Sequence, residues 1–225
     1  MYILILFYFF LVFSFIVSIY KYNKNFNNFN ELTSYIFKNI LLFLNYEVDQ
    51  FDINELPSKF IIIGSHTSIY DFIIGSLFYY GYLHSKFSAN VVMKKEFESF
   101  IRPLLKLFDK KFQLISIDTN EKNLGVTEQI TNNLINKNNY ILFIAPEGTR
   151  KSTDKIRSGY WYISKKLEID IVYVGIDFSL KSITLENYRK PKDNWEEEQD
   201  EFIRCCKKYI PMYPERCYWT RNFYN

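Results

Sequence analysis

From residue 59 onward, short uninterrupted runs of Ile, Val, Leu and Phe alternate with longer stretches whose apolar residues recur at helical spacing. A strand made only of apolar residues has to be covered on both faces, and intervening helices supply the cover. The pattern therefore restricts the chain to an α/β fold, a single sheet flanked by helices. Strands are expected at residues 60–64, 90–93, 113–117, 140–144 and 171–177, with an edge strand at 183–185. Helices are expected over residues 69–79, 97–107, 121–135, 158–167 and 196–210, and the charge-rich stretch 190–198 reads as solvated surface. With 225 residues and no internal repeat, the chain holds one ordinary domain rather than a string of modules. Its 28 Lys and Arg against 25 Asp and Glu leave a charge of +3, short of the basic excess that would make nucleic acid the default partner. Cys205, Cys206 and Cys217 form no C-x-x-C pair, so neither a zinc knuckle nor a disulfide framework is indicated, and a reducing compartment fits.

The first 20 residues carry no charge and are dominated by Ile, Leu, Phe, Val and Tyr. That is the length a helix needs to cross a hydrocarbon layer of roughly 30 Å, and no positive leader or small-x-small cleavage site accompanies it. An uncleaved transmembrane helix is expected over residues 1–20, with Lys21 and Lys24 just beyond it placing the bulk of the chain on the cytoplasmic side. A single-pass membrane protein is the expectation, with a buried or surface-lying helix as the alternative. Residues 21–57 then form a polar joint and a membrane-proximal or packing helix, and residues 58–225 form the main domain. The tail at 209–224, with Arg216, Trp219 and Arg221, suits either the lipid interface or packing on the domain.

Two strands run directly into polar residues. Ligands of α/β proteins gather beyond the carboxyl ends of strands, where the run Ile61-Ile62-Ile63-Gly64 meets His66, one of only two histidines in the chain. Asp71 would lie in the first turn of the following helix, within reach of one imidazole nitrogen while the other faces substrate. An imidazole so paired is a general base. The same spacing also fits a carboxylate that merely starts a helix and a loop histidine with no chemistry. The second segment, Leu142-Phe143-Ile144-Ala145-Pro146, leads into Glu147, Gly148, Thr149 and Arg150. Gly148 permits close backbone approach, Thr149 adds a hydroxyl and Arg150 a fork for phosphate or carboxylate, with Lys151, Lys155 and Arg157 following. An anion site and a bare turn both suit it. No Walker loop, Gly-x-Gly-x-x-Gly run or Gly-x-Ser-x-Gly elbow is present, which sets aside nucleotide hydrolysis, nicotinamide chemistry and a covalent serine hydrolase.

Taken as an ordered pair, the two segments resemble the glycerolipid acyltransferase family, which includes lysophosphatidic acid (1-acylglycerol-3-phosphate) acyltransferases. His66 and Asp71 match its H-x-x-x-x-D box, and Pro146, Glu147, Gly148, Thr149 and Arg150 match its P-E-G-T-R box. Between them, Lys94-Lys95-Glu96-Phe97 resembles a K-x-E-L segment, and Arg157-Ser158-Gly159-Tyr160 resembles the K-x-G-(F/Y) continuation. The resemblance covers residues 59–177, about half the chain. Two departures stand out. Ile117-Asp118-Thr119 lacks the arginine that usually follows and is associated with the acceptor phosphate, so Lys122 substitutes for it or the acceptor differs. The run Ile171-Val172-Tyr173-Val174-Gly175 lacks the usual prolines of the fourth block.

The resemblance implies a glycerol-3-phosphate acyltransferase-like fold and acyl transfer without a protein-bound intermediate. In it, His66 and Asp71 are catalytic, and Lys94, Glu147, Gly148, Thr149, Arg150 and Arg157 bind substrate. Glu147 would organise its turn or bind acceptor hydroxyls. Acyl-CoA or an acyl carrier protein thioester is implied as donor, a lysophospholipid in the membrane as acceptor, and neither a cofactor nor a metal is called for. Two other readings remain at this level: an acyltransferase with a non-phosphorylated or differently headed acceptor, and a non-catalytic, membrane-tethered lipid-binding protein.

Overall fold

The computed structural model describes residues 29–95, 111–118, 125–186 and 188–218. The elements in chain order are α1 (Phe29–Phe43), β1 (Glu47–Val48), β2 (Lys59–Ile63), α2 (Ile69–Phe78), β3 (Ser88–Lys94), β4 (Phe112–Ile117), α3 (Val126–Leu134), β5 (Tyr140–Ile144), α4 (Gly159–Leu167), β6 (Asp170–Asp177), β7 (Ser182–Leu185) and α5 (Trp195–Cys206). Among the described residues the strands form one sheet in the order β1-β7-β6-β2-β5-β3-β4. The five strands from β6 to β4 are mutually parallel, β7 runs antiparallel to β6, and β1 runs parallel to β7.

Both faces are covered, which is why the central strands read as unbroken apolar runs. Along β2, Ile61 and Ile63 enter a core with Ile130 and Leu134 of α3, Tyr160 and Ile163 of α4 and Phe202 of α5. Phe60 and Ile62 enter the opposite core with Leu32, Phe37 and Leu41 of α1 and Ile74, Leu77 and Phe78 of α2. The helix α1, read as membrane-proximal or packing, thus inserts Leu32, Phe37 and Leu41 into the domain, each at most 4 % exposed.

Several expected elements differ in extent. The strand at 183–185 is not an edge: β1 pairs outside β7 through Glu47↔Ser182 and Val48↔Ile183. Two residues of strand are too short to announce themselves by alternation. The helix expected over 69–79 continues through a π-helical turn, Tyr79–Leu83. The helix expected from 121 begins at Val126, after Gly125 in an extended conformation, and the one expected to reach 210 stops at Cys206. The stretch 190–198 is not wholly solvated, because Glu198 is fully buried. The helix expected at 97–107 and the anchor expected at 1–20 lie outside the described residues. Among those described, no helix is long and apolar enough to cross a membrane.

Candidate active site

The parallel strands bring their carboxyl ends to one edge of the sheet, and the motif residues leave from there. β2 pairs with β5 through Ile63↔Ile144, so the chains carrying His66 and Glu147 emerge side by side. β3 pairs with β4 through Lys94↔Ile117, which brings Lys94 and Asp118 to the same edge. Of Lys94 only the strand position is described, and Lys122 lies outside the described residues.

Ser68 caps α2, its side chain accepting from the Tyr70 N–H at 3.0 Å in a capping box completed by Asp71. Asp71 Oδ2 accepts the N–H groups of Thr67 and Ser68, both at 2.7 Å. The same oxygen faces His66 Nδ1 at 3.3 Å, with the imidazole 27 % exposed and the carboxylate 8 %. Starting the helix and orienting the imidazole are therefore one arrangement: the two backbone donors hold the oxygen that the imidazole meets. A proton on Nδ1 faces the carboxylate and leaves the Nε2 lone pair as the basic site.

The second segment turns at Gly148, whose φ of +64° lies in the left-handed region that favours glycine. Its N–H donates to Ala145 O at 3.0 Å, and the Arg157 N–H donates to Pro146 O at 2.9 Å. The Arg157 side chain lies against Gly148, where a Cβ would stand 2.8 Å from Nε. Arg150 is half-buried on the same turn and Arg157 is exposed, while Thr149 Oγ1 accepts from the Lys151 N–H at 3.1 Å. The Arg157 guanidinium thus lies over the glycine turn that follows β5, with Arg150 two residues beyond Gly148, and a guanidinium is suited to an anion.

Glu147 joins the two segments. Its Oε1 accepts the His66 N–H at 3.4 Å, it is only 3 % exposed, and Oε2 has no hydrogen-bond partner among the described residues. Burial pushes its carboxyl up from the ordinary 4.5 to about 7, against the pull of its own N–H and that of His66. These contacts tie the Glu147 carboxyl to the backbone of His66. Lys95 Nζ meets Asp118 Oδ2 at 3.1 Å where the chain lacks the arginine.

The sequence model of the acyltransferase family matches residues 49–176. The chain belongs to the acyltransferase family. This is the glycerolipid acyltransferase family whose boxes the two segments resemble, and acyl transfer to oxygen is its chemistry. The family match carries both segments, and in this acyltransferase they converge on one strand edge. No curated protein and no solved structure matches the chain. Among the described residues no group of three His, Cys, Asp or Glu side chains is set to hold a metal ion. Residues that sequence reasoning missed come from the far end of the acyltransferase chain. Tyr213 N–H donates to Thr67 Oγ1 at 3.3 Å, Arg216 Nη1 to Thr67 O at 3.0 Å, and Cys217 Sγ shares a hydrogen bond with Ser65 Oγ at 3.5 Å. Separations near 150 residues leave no local pattern by which they could have been found.

Proposed function

We propose that this acyltransferase moves a fatty acyl group from acyl-CoA, or an acyl carrier protein thioester, to the hydroxyl of a lysophospholipid such as 1-acylglycerol-3-phosphate, in phospholipid synthesis or remodelling. The observation that carries the reading is the imidazole of His66 beside an Asp71 oxygen already anchored by two backbone N–H groups. An alcohol is a poor nucleophile at neutral pH unless a positioned base removes its proton as it attacks. Nε2 of His66 takes that proton while the acceptor oxygen bonds to the thioester carbonyl. Backbone donors near the Gly148 turn, other than the Gly148 N–H that Ala145 O takes up, would serve the oxyanion that develops. Collapse breaks the carbon–sulfur bond, and the imidazolium returns its proton to the leaving thiolate. Arg150, with Arg157 and Lys94, holds the acceptor phosphate, so that recognition becomes alignment of the attacking oxygen. No cofactor enters this scheme.

A differently headed acceptor is favoured by one specific feature: the segment Ile117-Asp118-Thr119 lacks its arginine, and Asp118 is occupied by Lys95. Residues 1–20 anchor the protein in a membrane with residues 58–225 facing the cytoplasm, which keeps the site where long-chain substrates partition.

Both parts are tested on membranes carrying the full chain, given labelled acyl-CoA and a panel of lysophospholipids and glycerol 3-phosphate. Acylated product is expected, reduced on the order of 10²–10⁴-fold by His66→Ala and strongly by Asp71→Asn. Transfer that persists in His66→Ala removes the histidine from the mechanism. No transfer to any acceptor, with a carrier-protein donor also tried, overturns the reading. Protease added to sealed inside-in vesicles should spare the domain, and its digestion would reverse the topology.

A further inference from the structure

The chain after α5 lies beyond the family match and turns back to the site. Tyr209 lies flat on β6 at Gly175, where any side chain would overlap its ring, and its hydroxyl donates to Glu186 Oε1 at 2.8 Å. Ile210 is then held at both backbone groups, its N–H donating to Asp177 Oδ2 at 3.0 Å and its carbonyl accepting from the Phe178 N–H at 2.8 Å. This fastens the tail to the carboxyl end of β6. A single 3-10 turn, Pro214–Arg216, follows, and from its neighbourhood come the contacts to Ser65 and Thr67, the two residues that flank His66.

Thr67 has an unusual hydrogen-bonding problem. Its N–H goes to Asp71, and its carbonyl precedes the helix cap, so α2 offers it no partner. The residue is 2 % exposed, and a buried carbonyl without a partner is costly. Arg216 meets that need with a charge-assisted bond from Nη1 at 3.0 Å. The guanidinium is itself seated on the Tyr213 ring, with Cζ 4.0 Å from the ring centroid, while Tyr213 N–H reaches Thr67 Oγ1. Both polar groups of Thr67 not used by Asp71 are thus held by the tail.

We infer that Arg216, seated on Tyr213, is a positioning residue that fixes the Ser65–Ser68 loop and so holds the His66 imidazole against Asp71. It acts through Thr67 and touches neither substrate. The inference rests on the proposed role of His66 as base.

The test compares Arg216→Ala, Arg216→Lys and the unaltered full chain by steady-state kinetics and by amide hydrogen exchange. Arg216→Ala is expected to lower kcat about tenfold to a hundredfold, the scale of a misplaced catalytic group, with the KM values for acceptor and donor unchanged within about twofold. Arg216→Lys, which keeps one N–H donor, should recover part of kcat. Exchange at the Thr67 and Ser68 amides should quicken at least about tenfold in Arg216→Ala, while Ile61, Ile62 and Ile63 of β2 stay protected. Unchanged kcat and unchanged loop exchange overturn the inference. So does a rise in acceptor KM at constant kcat, which would make Arg216 a substrate contact. Equal loss of protection in β2 overturns it too, since the arginine would then support the fold rather than the loop. If the unaltered protein transfers no acyl group, the base assignment fails, and the exchange contrast alone decides for or against the clamp.

Discussion

A carboxyl group with one oxygen on a backbone N–H and the other without a partner among the described residues is held by the fold against its own solvation. For Glu147 the consequence has a definite sign. Its carboxyl is raised to about 7 by burial, from the 4.5 that the unfolded chain restores. Between those values the unfolded chain loses the proton while the folded one keeps it, so stability falls as pH rises through the window and the cost is complete above it. Glu147→Gln keeps an oxygen for the His66 N–H and carries no charge. It should be more stable than the natural protein by on the order of 3 kcal/mol at pH 8, with the difference closing toward pH 4. Melting temperatures across that range check this, and parallel curves would count against a buried, neutral Glu147. At this scale the sequence was informative about placement: His66 and Asp71 stand at the expected place beyond a strand, with the carboxylate facing the imidazole. It was silent on Glu147 bridging to the His66 backbone, because that contact depends on how two strands pair.

The helix α5 shows how an element is held by charge that local reading assigns to solvent. Glu198 is fully buried, yet it accepts from Tyr173 Oη at 2.9 Å, from Arg189 Nη2 at 2.9 Å and Nη1 at 3.0 Å, and from the Lys192 N–H at 2.9 Å. Helix, sheet and the intervening loop are bound through one carboxylate. Removing one partner of a buried pair strands the other, at a cost of about 3–5 kcal/mol. Glu198→Ala should lose that much in urea denaturation, and pairing it with Arg189→Met should cost less than the single change. A single-variant loss below about 1 kcal/mol would show the network to be dispensable. The elements themselves were legible where burial on both faces wrote apolar runs, as in β5 at Tyr140–Ile144. Length hid β1, and charge hid not the helix α5, which was expected from residue 196, but the burial of Glu198 in its first turn.

At the scale of the whole molecule, the family match begins at residue 49, but the core does not. Leu32, Phe37, Leu41 and Tyr46 pack with Phe60, Ile62 and Phe78. Each buried side chain of this size contributes roughly 1.5–3 kcal/mol, against a net stability of about 5–15 kcal/mol for a domain. A chain cut to residues 58–225 should therefore aggregate or lack a cooperative melt, whereas one that begins at residue 29 should fold. A cooperative transition in the shorter chain would show α1 to be an accessory. The order of apolar runs and the two motif boxes, each a matter of neighbours a few residues apart, were enough by themselves to determine an α/β sheet and to put His66 and Glu147 at strand ends. Three things were decided only in three dimensions: which strand lies beside which, that β1 rather than β7 closes the sheet, and that Arg216 returns to Thr67. Each depends on contacts between residues far apart along the chain, whose closure is set by the packing of the whole and leaves no periodic trace in the sequence.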